Sequence, residues 1–163
     1  MDGMDVKLAD ESATQALAQA MATLVSAPLC LTLSGTLGAG KTSFARAFIR
    51  ALSGDATLTV ASPTFLLVQQ YAVKVKGDVS ATLWHWDGYR IEHEEEILEL
   101  GIEEMLEKGV VCIEWPEIFL PFLPNDRIEV TLEHSEQNAR RAIITGHGAE
   151  SEKVKTLAAM YHA

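Results

Sequence analysis

Hydrophobic and polar positions alternate along this chain in several distinct ways. Leu29-Cys30-Leu31-Thr32-Leu33 and Val110-Val111-Cys112-Ile113 are short apolar runs, which predicts buried strands. Ile128, Val130 and Leu132 alternate with Glu129, Thr131 and Glu133, the pattern of a half-exposed, antiparallel strand. Ala142-Ile143-Ile144-Thr145 is its expected partner across Glu136-Gln137-Asn138, with Arg140 and Arg141 opening that second strand. A further hairpin is predicted from Phe65–Val73 and Val79–Trp86, joined by Lys76-Gly77-Asp78.

Helical spacing accounts for most of the remaining apolar positions. Ala13, Leu17, Ala20, Met21, Leu24 and Val25 mark one helix, capped by Asp10 or Ser12 and ended before Pro28. Phe44, Phe48, Ala51 and Leu52 mark a second, stopped at Ser53-Gly54. Glu92–Glu107 is acidic and helical, with Ile97, Leu98, Ile102, Met105 and Leu106 inward and Gly101 a break between two short helices. Val154, Leu157, Ala158 and Tyr161 face inward from a final helix starting near Ser151, while Pro116–Pro124 is an apolar connector.

Chemistry enters between the first buried strand and the second helix. Gly35, Gly40, Lys41 and Thr42 fit the G-x-x-x-x-G-K-[ST] spacing of a phosphate-binding loop that includes Leu37, Gly38 and Ala39. Glycines let backbone N–H groups curl round a polyphosphate, and the following helix aims its positive end at the same anion. Lys41 can reach the β- and γ-phosphates, and the Thr42 hydroxyl can ligate Mg²⁺. Glu114, delivered by the second buried strand, is Walker-B-like, although aspartate is the usual residue. Asp87 is a second strand-end carboxylate. His85, two residues before it, is either a structural hydrogen-bonder or a catalytic group. Ser62-Pro63-Thr64 follows the phosphate-loop helix and is either an ordinary Ser-Pro turn or the place where a hydroxyl such as that of Thr64 senses a γ-phosphate, as in many nucleotide switches. The predicted fold is α/β: a P-loop NTPase with a mixed, mostly parallel central sheet, an antiparallel hairpin and flanking helices, in one domain spanning 1–163.

Charge narrows the partners. Twenty-three acidic against 13 basic residues give a formal net charge of −10, which opposes direct contact with a polyanionic nucleic acid. Cys30 and Cys112 lie inside apolar runs and read as buried thiols. With no basic-then-apolar signal pattern and no apolar run of spanning length, a cytoplasmic protein is expected.

Taken in order, a set of segments resembles the TsaE (also called YjeE) family, small bacterial ATPases of tRNA threonylcarbamoyladenosine biosynthesis. They are Asp10-Glu11 with Thr14, the loop from Gly35 to Thr42, Ser62-Pro63-Thr64-Phe65 with Tyr71, His85-x-Asp87-x-Tyr89-Arg90, Leu100-Gly101, and Val111-Cys112-Ile113-Glu114-Trp115-Pro116. Two departures stand out: Gly88 where a leucine is expected, and Ala139 before Arg140 where glycine is expected. The resemblance implies ATP and Mg²⁺ as cofactors, with Lys41 and Thr42 serving triphosphate and metal and Glu114 joining Thr42 at the metal. It also implies that Asp87, Glu11 and Arg140 lie near the nucleotide. The implied partner is a TsaB–TsaD pair that transfers a threonylcarbamoyl group to adenosine 37 of tRNAs reading codons that begin with A, so that tRNA is met only indirectly. The competing reading is a P-loop small-molecule kinase, which would need an arginine-rich lid; consecutive arginines occur only at Arg140-Arg141. A GTPase would need an Asn-Lys-x-Asp guanine reader, a context that Asn125 and Asn138 lack.

Overall fold

The computed structural model describes residues 2–61 and 67–162. Seven strands form one mixed sheet: β1 (Asp2–Leu8), β2 (Leu29–Gly35), β3 (Val68–Val75), β4 (Val79–Asp87), β5 (Val110–Glu114), β6 (Arg127–His134) and β7 (Arg140–His147). Across the sheet their order is β1-β7-β6-β2-β5-β4-β3. The four central strands, β6, β2, β5 and β4, run parallel, and antiparallel pairs flank them on both sides. The helices are α1 (Glu11–Ala22), α2 (Lys41–Ser53), α3 (Glu94–Glu99), α4 (Ile102–Lys108) and α5 (Ser151–His162), with a 3-10 segment at Pro116–Phe122.

The buried strands earn their apolar sequences by being covered on both faces. Along β5, Val110 and Cys112 join the larger core, where Phe44, Phe48 and Ile49 of α2 pack with Leu17 and Met21 of α1. Val111 and Ile113 face the other way, into a smaller core with Trp86, Ile97, Ile102 and Phe119. Asp10 caps α1 by accepting the Ala13 N–H at 2.9 Å. Gly54 ends α2 at φ 73°, donating to the Arg50 carbonyl.

Three expectations are revised and one strand is added. β1 carries only three large apolar residues among polar ones and shows no clear strand pattern; it pairs antiparallel with β7, and Asp5 is bonded to Arg141 across that pair. β6 is antiparallel to β7 as expected but parallel to β2, because it sits inside the sheet rather than at its edge. Ala51 is exposed, since the buried face of α2 swings towards Ala45 and Ile49. Leu98 is 44% exposed, the six-residue α3 being anchored by Ile97 alone.

Parallel register brings functional residues together. Leu33 stands beside Glu114, and Glu114 beside Asp87, so the carboxyl ends of β2, β5 and β4 open on one crevice. Ligands of open α/β sheets bind at this side.

Candidate functional site

The loop after β2 is shaped by backbone conformations that side chains resist. Gly35 has φ 137°, and a Cβ there would lie 2.1 Å from the Leu132 carbonyl oxygen; Gly40, at φ 107°, has the Arg140 guanidinium where its Cβ would go. Leu37 turns to solvent and Ala39 is buried, holding the loop between water and core. Lys41 opens α2 and folds its ammonium under the loop, donating to the carbonyls of Gly35 at 2.6 Å and Thr36 at 2.8 Å. An ammonium has three donors, so one remains for the crevice. The same nitrogen lies 4.0 Å from the centre of the Trp115 ring. Burial lowers the Lys41 pKa, and the negative charges of Glu114, Glu117 and Asp87 oppose that shift.

Opposite the loop stand the two strand-end carboxylates. Glu114 is 2% exposed. Its Oε1 accepts the Thr42 hydroxyl at 3.1 Å, and its Oε2 lies 2.6 Å from His85 Nε2. His85 is fully buried, and its Nδ1 has no partner among the described residues. A proton on Nε2 therefore leaves no buried N–H unmet and makes the ring a donor to Glu114. The Asp87 carboxylate accepts the Tyr89 N–H at 2.9 Å, and the Tyr89 ring packs on Trp115 with centroids 5.0 Å apart.

The crevice between loop and carboxylates holds about 430 Å³. Leu37, Gly38, Gly40, Lys41 and Thr42 line one side, Asp87 and Glu114 the other, and Arg140 closes an end. Arg140 Nη1 is buried without a partner among the described residues, a cation donor waiting for an anion. Gly35 and Ala39 build the loop without lining the space, and Glu11 reaches it only through Ser43, whose hydroxyl donates to it at 2.8 Å. Thr64, with Ser62, Pro63 and Phe65, lies outside the described residues.

ATP and Mg²⁺ fit these groups. Glycines at positive φ shape the loop, and Lys41 and Arg140 supply charge. Thr42 and Glu114 offer adjacent hard oxygens. No cluster of three or more His, Cys, Asp or Glu suited to a metal exists among the described residues. A cation held by Thr42 and Glu114 would complete its shell with phosphate and water oxygens.

The family profile described as "Threonylcarbamoyl adenosine biosynthesis protein TsaE" matches residues 8–143. The chain belongs to the TsaE family. The TsaE protein of Rickettsia felis is 38% identical over 152 residues, covering 93% of this chain and 85% of that relative. That of Bacillus subtilis is 34% identical over 140 residues, 85% of this chain and 83% of the relative. In three dimensions the chain is similar to the crystal structure of Bacillus subtilis YdiB, with a TM-score of 0.77, 24% identity and coverage of 98% and 97% of the two chains, a likeness of fold.

The span matched by the TsaE profile contains every residue lining the crevice. Within it, Gly88 is tied to the local backbone: it donates to the Glu114 carbonyl at 2.8 Å, and a Cβ would lie 2.2 Å from the Trp115 carbonyl oxygen and 2.9 Å from the Phe119 ring. Trp115 itself has a left-handed φ of 54°, which makes this close approach. Gly88→Leu should cost this chain about 2–3 kcal/mol in chemical denaturation through overpacking. An unchanged midpoint and slope would show that the Trp115 turn yields freely. Sequence reading assigned no role to Trp115; its position directly after a strand-end carboxylate was the available signal.

Proposed function

We propose that this TsaE chain is a Mg²⁺-dependent ATPase, slow without partners, that acts on the TsaB–TsaD pair in the threonylcarbamoyladenosine modification of tRNAs reading codons that begin with A. The observation that carries this reading is the convergence of Lys41, Thr42 and Glu114 in one crevice beside the glycine loop. Lys41 directs its remaining donor and its charge to the β- and γ-phosphates, and the loop amides with the start of α2 hold the rest of the polyphosphate. Thr42 and Glu114 would hold the metal, which would supply charge neutralisation at the phosphoryl oxygens. Asp87 orients water at the crevice, and Arg140 presents its unmet Nη1 to the nucleotide. The formal charge of −10 supports a protein that meets tRNA through its partners rather than directly. No helix among the described residues is long and apolar enough to cross a membrane, in keeping with work in the cytoplasm.

In this reading His85 positions Glu114. Holding Oε2 leaves Oε1 to face Thr42 and the metal. His85→Leu should weaken Mg²⁺-supported ATP binding about tenfold, the lower end of losses at such supporting partners, while binding in EDTA changes little. His85→Gln, which restores a donor, should recover part of that loss. Equal Mg²⁺ dependence in the parent and His85→Leu would reduce His85 to a packing residue.

The function is tested in cells from which this gene has been removed. Threonylcarbamoyladenosine, measured by mass spectrometry of tRNA nucleosides, should fall, return with the parent gene and stay low with Lys41→Ala. Unchanged nucleoside content would overturn the assignment, and transfer of the ATP γ-phosphate to a metabolite would replace it with a kinase.

A further inference from the structure

A second cavity of about 470 Å³ lies between α1 and α2, outside the nucleotide crevice but sharing Ser43 with it. Its walls carry hydrogen-bonding side chains one helical turn apart: Gln15 and Gln19 from α1, Arg46 and Arg50 from α2. Its floor is made of small residues, among them Ala47, Ala51 and Gly54, so a main chain could approach closely. Among the described residues no carboxylate lines it. Arg46 is half-buried yet forms no hydrogen bond or ion pair with any described residue. Arg50 uses Nε to hold the Leu58 carbonyl at 2.8 Å, which fixes its guanidinium and leaves both terminal nitrogens unbonded among the described residues. Asp55 is near enough to feel Arg50, but its carboxylate is occupied by the Thr57 N–H and hydroxyl.

Two guanidiniums one helical turn apart, neither with an ion pair among the described residues, stand out in a chain with 23 acidic and 13 basic residues. We propose that this groove is a docking site for a carboxylate-bearing segment of a partner protein, held by Arg46 and Arg50 in charge-assisted contacts. The inference rests on the functional reading above and names the surface through which a protein partner is met. Guanidinium forks match carboxylates in bidentate geometry, and a short acidic segment fits between the glutamines over the small-residue floor. A nucleic acid would bring many phosphates towards a molecule of net charge −10, so one or two carboxylates fit the groove's charge better than a polyanion. Because α2 begins at Lys41 and the two cavities meet at Ser43, a segment bound here rests on the helix that grips the phosphates.

The test is calorimetric binding of the full chain to the purified TsaB–TsaD pair, in the ATP-analogue state, for the parent, Arg46→Glu and Arg46→Glu/Arg50→Glu. Arg46→Glu breaks no bond to any described residue, so it reports on the groove even where the double variant, which also loses the Leu58 contact, proves unstable. The expected result is a loss of about tenfold or more for the single change and a larger loss for the double one. Parent affinity should fall with added salt, while ATP affinity stays within about twofold across the series. Parent-like partner binding by Arg46→Glu overturns the groove and leaves the ATPase reading standing. A parent chain that does not bind the pair overturns both. Loss of binding to purified tRNA, with partner binding intact, would make the groove a nucleic-acid contact and equally overturn the proposal.

Discussion

Replacing Lys41 with alanine is expected to abolish ATP hydrolysis and to weaken ATP binding about 10- to 100-fold, the loss of a charge-assisted contact of about 1.5–3 kcal/mol. Lys41 is 5% exposed and spends two donors on the carbonyls of Gly35 and Thr36. The substitution therefore removes the loop's own strut as well as its charge. Trp115 lies 4.0 Å from the ammonium and gives a fluorescence signal for the titration. Retained affinity and turnover in Lys41→Ala would contradict the phosphate-loop reading, and the variant's denaturation midpoint separates a lost contact from a lost fold.

Glu114→Gln and Thr42→Val are expected to abolish the gain in ATP affinity and turnover that Mg²⁺ gives, while ATP binding in EDTA persists. Hard cations favour anionic oxygen, so the amide of glutamine is a poor replacement at a site with few protein ligands. Two arrangements support Glu114 over Asp87. Glu114 touches Thr42 directly, whereas the Asp87 carboxylate is engaged by the Tyr89 N–H. Glu114 is also held from behind by His85, as a metal-bound carboxylate commonly is. If Asp87→Asn loses the Mg²⁺ effect and Glu114→Gln keeps it, the two carboxylates exchange roles.

The sequence carries this much because the phosphate loop is a local device. Spacing from Gly35 to Thr42 defines a turn and a helix start, and the apolar run before it defines the strand that presents them. Glu114 and Asp87 were legible for the same reason, each ending a strand with a clear pattern. What escaped depends on pairing between distant segments. His85 and Glu114 are 29 positions apart and meet only because β4 and β5 run parallel in one register. The parallel side of β6 was hidden by alternation that an inner strand shares with an edge strand. β1 has too little apolar surface to announce itself and exists through its ladder with β7. Nothing in the sequence singles out Arg46 and Arg50; their relation to Gln15 and Gln19 appears only when α1 and α2 are packed together.

Phosphate release from ATP by the purified chain, with Mg²⁺, alone and with the TsaB–TsaD pair, tests the central claim most directly. The expected result is slow release by the chain alone, a clear increase when the pair is added, and no release from Lys41→Ala under either condition. Equal release with and without the pair, or release that survives in Lys41→Ala, would contradict the account.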